Sequence, residues 1–191
     1  MADGLRCCSG HRGKLMRTSG VFTFKGASLI ALFLTSAISA LGFLWPFLIN
    51  EKQGHPQWIF LMATPFALLL LLISASNNQL DSKSIALLAV LAALIAALRP
   101  MGTGAVGIEP MWFVLILSAR VFGPSFGFLL GTLSMLLSAL LTGGMGPWVA
   151  YQSFAAGWIG LGVAIIPRSL RGKREILALI IYGIVAAEFF G

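Results

Sequence analysis

Residues 86–98 read Ala-Leu-Leu-Ala-Val-Leu-Ala-Ala-Leu-Ile-Ala-Ala-Leu, and Gly123, Gly127 and Gly131 follow at four-residue spacing. Residues four apart share one face of a helix. A face of small side chains lets a second helix come close inside a bilayer. Two such faces describe a chain built to pack helix on helix in lipid. The composition admits little else: 58% of residues are hydrophobic, 10% are charged and the mean hydropathy is +0.94. That balance excludes an ordinary soluble domain. A hydrocarbon core of about 30 Å asks for about 20 apolar helical residues per crossing. Apolar segments run over 27–49, 57–76, 84–98, 111–122, 124–142, 148–167 and 175–191, with 84–98, 111–122 and 175–191 short. The predicted fold is all-α, a polytopic membrane bundle of about seven membrane segments.

Charge sets the predicted orientation. Arg6, Arg12, Lys14, Arg17 and Lys25 precede the first segment, and Arg168, Arg171, Lys173 and Arg174 precede the last. The positive-inside rule makes both groups cytoplasmic. Seven segments then leave only Lys52 and Arg99, of 13 Lys and Arg, on the outside. Trp45, Trp58, Trp112 and Trp148 fall at outer span ends, where interfacial aromatics belong. The net charge of +7 thus reads as membrane orientation in a cell membrane with a cytoplasmic N-terminus. No motif supports nucleic-acid binding.

Three regions follow. Residues 1–26 form a cytoplasmic basic arm, 27–82 an accessory transmembrane hairpin with Pro65 in its second helix, and 83–191 an Ala- and Gly-rich core. Cys7 and Cys8 are adjacent and predicted to face the reducing cytoplasm, so they are a poor disulfide pair; acylation and incidental thiols both remain open. The last apolar segment reaches Gly191 with no polar flank, from which a truncated core lacking its final helix is expected.

Polar chemistry is concentrated in the predicted outer loops. Arg99 to Pro110 holds Arg99, Glu109 and three glycines between them, and glycines let backbone amides approach a ligand; a plain extracellular connector is the competing reading. The turn Thr142-Gly143-Gly144-Met145-Gly146-Pro147-Trp148 leads to Tyr151 and Gln152. Trp148 and Gln152 share a helix face, an aromatic plate beside an amide that suits a small organic ligand, or equally a belt Trp beside an interhelical hydrogen bond. Glu188 falls inside the last segment, where a carboxylate is costly and faces a cavity or a partner; Arg99 or a ligand are the candidates, an interfacial position the alternative. The stripe Ala86, Ala89, Ala93, Ala97 and the ladder Gly123, Gly127, Gly131 serve either internal packing or docking, and Arg120 could face a docked subunit. No paired-acid, metal-ligand or phosphate-loop motif is present. His11 and His55 fall on opposite sides of the membrane, so no metal site and no enzyme activity is expected.

The order of an Ala-rich helix ending in Arg99, then Glu109-Pro110, then Arg120-Val-Phe-Gly-Pro-Ser-Phe-Gly-Phe-Leu-Leu-Gly131, then Gly143-Gly-Met-Gly-Pro-Trp148 with Gln152 resembles the substrate-binding (S) component of energy-coupling-factor (ECF) transporters. The likeness is to the actinobacterial branch with extra N-terminal helices and covers 83–191. It implies a six-helix core that captures a vitamin-type micronutrient from outside and needs no cofactor. It also implies docking, through a small-residue face falling here on Ala89, Ala93 and Ala97, onto a transmembrane coupling subunit driven by two ATPase subunits. The family's pocket maps to Arg99, Glu109, Trp112, Trp148, Gln152 and Glu188. Only five core helices are counted from Lys83. Family members that take up nickel or cobalt carry an N-terminal His that Met1-Ala2-Asp3 lacks, which disfavours metal uptake.

Two other readings stand beside this one. A membrane scaffold would act through helix–helix contacts alone, and an intramembrane enzyme would use Glu109 and Glu188. For an importer, cobalamin, biotin-like and thiamine-like ligands all fit a pocket mixing Trp, Gln, Arg and Glu.

Overall fold

A computed structural model describes residues 27–48, 69, 73, 82–102, 109–144 and 148–190. The predicted basic arm, nearly all of the second segment, most of the Arg99–Pro110 loop and residues 145–147 lie outside these. Among the described residues the chain forms α1 (Ala27–Leu48), α2 (Ser82–Gly102), α3 (Pro110–Phe122), α4 (Pro124–Thr142), α5 (Trp148–Gly162), a 3-10 turn (Val163–Ile165) and α6 (Lys173–Phe190), with no strand. It is an all-α membrane bundle. Ser82–Met101, Pro124–Thr142 and Trp148–Ile165 are long and apolar enough to cross a bilayer. The segment expected at 84–98 gains a turn past Pro100 and becomes 21 residues long. In contrast α3 has 13 residues, about 20 Å at 1.5 Å per residue, and cannot span alone.

The boundaries follow from local chemistry. Gly123 is the single residue between α3 and α4, at φ 113°, a conformation glycine adopts without cost to a Cβ. Its N–H reaches the Ala119 carbonyl at 3.0 Å, and Pro124 then opens α4, where a missing N–H does no harm. Gly143 ends α4 in the left-handed conformation, φ 67°, a common helix stop. Beyond α5, Ile166 is extended ahead of Pro167, as the residue before a proline prefers.

Helix α4 is the centre of the core, packed on α2, α3 and α5. Phe126, Phe128, Leu129 and Leu130 are at most 1% exposed, as are Ala96 of α2, Met111 and Ala119 of α3, and Phe154 and Ala156 of α5. Helices α4 and α5 approach at backbone distance. A Cβ on Gly127 would stand 2.5 Å from the Ala119 Cβ and 2.8 Å from the Gly160 carbonyl oxygen. A Cβ on Gly131 would collide with the Ala156 carbonyl, and one on Gly157 would stand 2.7 Å from the Thr132 hydroxyl. The glycine ladder therefore lies inside the bundle, meeting Ala156, Gly157 and Gly160, which the sequence reading had not singled out. Buried hydroxyls return to their own helices: Thr132 donates to the Phe128 carbonyl at 2.9 Å, Ser134 to Gly131 at 3.0 Å and Ser153 to Val149 at 2.7 Å. In lipid no water would replace those partners.

Helices α1 and α6 are tied on by polar contacts. The Trp158 indole N–H donates to the Ser36 hydroxyl at 3.0 Å, linking α5 to α1. The Tyr182 hydroxyl donates to the Ile159 carbonyl at 2.6 Å, in the last turn of α5, where carbonyls lack intrahelical donors. Arg120 is held within the chain. Its side chain is 11% exposed and its Nε donates to Glu175 at 2.8 Å. Its remaining reach goes to the Ile166 carbonyl at 2.9 Å and the Pro167 carbonyl at 3.2 Å. One side chain thus fastens the ends of α3 and α6 to the turn after α5.

Candidate functional site

Alternating helix direction gathers Arg99, Glu109, Trp112, Ser138, Trp148, Gln152 and Glu188 at one end of the bundle. Arg99 is half-buried in the last turn of α2, where the negative end of the helix dipole favours a cation. Pro100, lacking an N–H, also leaves the Ala96 carbonyl without its usual donor. Across the bundle, Arg99 Nη2 donates to Gln152 Oε1 at 2.6 Å, and Nη1 makes a long contact of 3.5 Å to the Ser138 hydroxyl. Three helices, α2, α4 and α5, converge through these side chains.

The site has a donor surplus. A guanidinium carries five N–H donors and no acceptor, and its contacts to Gln152 and Ser138 are to a neutral amide and a hydroxyl, so among the described residues its charge meets no carboxylate. Gln152 keeps its amide N–H groups for another acceptor. Such an arrangement offers hydrogen-bond donors to carbonyl oxygens. No group of three metal-ligating side chains occurs among the described residues.

Ser138 was missed by sequence reasoning. It stands on α4 seven residues after Gly131, two turns along the same face. That periodicity was available, but only the approach of α2 gives it meaning.

The other expected residues form a second group on α3 and α6. Trp112 is 5% exposed and meets Phe190 edge-on at 4.7 Å between ring centres. Glu109 holds the N-cap position of α3 without making a side-chain cap bond. Its Oε2 is buried with no hydrogen-bond partner among the described residues, and a buried acceptor in that state calls for a donor. Glu109 and Trp112 head an apolar groove of about 440 Å³ between α3 and α6, with Ile116, Leu117, Ile180 and Ile184 along it. Among the described residues no hydrogen bond or ion pair joins this group to Arg99.

Two further expected residues lie outside the Arg99–Gln152 contact. Glu188 is exposed on α6 and does not meet Arg99, whose guanidinium is turned to Ser138 and Gln152. Trp148 is 55% exposed at the start of α5, outside the Arg99–Gln152 contact. The first residue of a helix has no preceding turn to pack against, so an aromatic there stays at the rim.

On α2, Ala86, Ala89, Ala93 and Ala97 are exposed while Ala92 and Ala96 are buried. The buried pair faces the bundle, and the four-residue stripe faces away from it.

A family model described as ECF-type riboflavin transporter, S component, matches residues 79–189. No curated protein matches the chain, and no solved structure does.

Proposed function

The chain belongs to the ECF-type riboflavin transporter S-component family, which makes it a non-enzymatic, substrate-binding membrane subunit of an ECF importer, and on that premise we propose that it captures a flavin-type vitamin at the Arg99–Gln152 end of the bundle. The family description supports a flavin; the sequence alone leaves cobalamin, biotin-like and thiamine-like ligands open and does not point to a flavin. The observation that carries the site is the 2.6 Å hydrogen bond from Arg99 to Gln152, beside Ser138. A flavin ring presents two carbonyls flanking an N–H along one edge, and a neutral polyol chain. Arg99 donates to a ring carbonyl, Gln152 offers both a donor and an acceptor to the same edge, and Ser138 serves the polyol or the ring. Glu109, whose Oε2 has no partner among the described residues, accepts from a hydroxyl or the ring N–H. Trp112 and Trp148 supply aromatic surface, and Glu188 stands at the outer edge.

The subunit sits in the cell membrane with its N-terminus cytoplasmic and its pocket outside. It docks on a transmembrane coupling subunit, itself driven by two ATPase subunits, through Ala89, Ala93 and Ala97. Their exposure on α2 supports this, since small side chains let a partner helix approach closely. Ala93→Leu is expected to abolish copurification of the coupling subunit while leaving ligand affinity intact; copurification at wild-type level removes the docking face.

The deciding test is flavin binding by the protein purified in mild detergent, followed by quenching of flavin fluorescence. Arg99→Gln is expected to weaken binding about 10- to 100-fold, because a hydrogen bond to a charged group contributes about 1.5–3 kcal/mol. A folded protein that ignores riboflavin but carries another small molecule by mass spectrometry overturns the flavin assignment. Unchanged affinity in Arg99→Gln overturns the site.

A further inference from the structure

The end of the bundle opposite Arg99 is strongly basic. Among the described residues it carries Lys83, Arg120, Arg168, Arg171, Lys173 and Arg174 against the single acid Glu175. Arg120 is committed to Glu175 and to the Ile166 and Pro167 carbonyls, and so pins the backbone immediately before Arg168. Beside this turn opens a cavity of about 390 Å³. Its apolar wall includes Leu29, Val163 and Ile166, and its polar wall Arg120, Ser125 and Arg168. Liquid water occupies about 30 Å³ per molecule, so the space suits a molecular headgroup rather than a lone ion.

We propose that this cavity holds the phosphate headgroup of an anionic phospholipid. Orientation of the chain requires only that basic residues lie somewhere in the loops on this side; it does not require a cavity with a cationic wall and an apolar one. The half-and-half lining fits an amphiphile: phosphate at Arg168 and the Ser125 hydroxyl, glycerol and the first acyl carbons along Leu29 and Val163. Leu29 is 54% exposed on α1, so the apolar wall continues onto the surface that lipid covers. An acidic segment of a partner protein would satisfy the charge but has no use for that wall. The α6 side adds Arg171, Lys173 and Arg174, all exposed, and basic clusters beside a membrane helix draw anionic lipid. Those three supply attraction; the cavity supplies a defined seat.

The experiment is native mass spectrometry of the full chain released from detergent containing either phosphatidylglycerol or phosphatidylcholine. Wild type is expected to retain one phosphatidylglycerol in preference to phosphatidylcholine. Arg168→Gln removes the charge at the wall, and Ala164→Phe fills the cavity from an exposed position without changing charge; both are expected to lose the retained lipid. Arg174→Gln, which is outside the cavity lining, is expected to keep it. Equal retention of the two lipids by wild type overturns the site, as does equal loss in Arg168→Gln and Arg174→Gln, or retention in Ala164→Phe. Displacement of the lipid by soluble glycerol phosphate at matching concentration points to a free phosphate ester and overturns the lipid assignment. Loss of coupling-subunit copurification in Arg168→Gln, with lipid retention unaltered, assigns the patch to a protein partner instead.

Discussion

Gly127→Ala tests whether α4 and α5 are held at backbone distance. The added Cβ would stand 2.5 Å from the Ala119 Cβ and 2.8 Å from the Gly160 carbonyl oxygen. Ordinary carbon contacts lie at about 3.5–4.0 Å, so about 1 Å of separation must be found between α4 and two neighbours at once. Neither neighbour can swing aside, because one is a Cβ fixed to its backbone and the other is backbone itself. Overpacking of this kind costs about 1–3 kcal/mol, and two rigid obstacles place it at the upper end. Alanine recovers about 1 kcal/mol of helix propensity over glycine, leaving a net loss of about 2 kcal/mol. The assay is thermal unfolding in detergent, where that loss lowers the midpoint by about 4–8 °C for a chain of this size. Gly183→Ala is the matched control. Its Cβ would meet Ile116 Cδ1 at 3.6 Å, ordinary contact, so propensity alone acts and the midpoint holds or rises. A Gly127→Ala protein as stable as Gly183→Ala refutes the close α4–α5 approach.

Arg120→Met should lower stability by about 2–4 kcal/mol, since it strands the partly buried Glu175 carboxylate and two carbonyls; Glu175→Gln, which leaves the carbonyl contacts in place, should cost about 1 kcal/mol. Equal losses in the same thermal assay would mean that the carbonyl contacts add nothing. Trp112→Ala empties a buried position against Phe190 and should cost about 3–5 kcal/mol, whereas Trp148→Ala at the exposed rim should unfold at the wild-type midpoint while reducing flavin uptake. A stable Trp112→Ala protein, or wild-type uptake by Trp148→Ala, would contradict the respective placement.

Much of the fold was legible along the chain. Apolar runs located the helices, and Gly123-Pro124, Gly143 and Pro167 marked their ends, because these residues act on the backbone within one or two positions. The length of α2 was not legible, since Pro100 normally stops a helix and here the last turn is carried past it. At the site, Arg99 and Gln152 were singled out as polar residues at outer span ends, and the structure joins them. Ser138 was passed over because one serine in an apolar helix resembles any other that bonds its own backbone. The pairing of Arg120 with Glu175, 55 residues later, was not legible, because it is invisible to local pattern.

The sequence by itself determined that this chain is a membrane bundle, where most of its described helices begin and end, and which of its ends is basic, for those properties rest on local hydropathy, backbone preference and charge. Tertiary structure alone decided how two similar small-residue faces are used. Spacing by four puts Gly127 and Gly131 on one stripe and Ala89, Ala93 and Ala97 on another, with equal claim to either role. Helix α5 brings Ala156, Gly157 and Gly160 against the first, whereas α4 packs on the side of α2 that carries Ala92 and Ala96 and leaves the second outside. Periodicity sets which residues share a face; only the neighbouring helices set what that face meets.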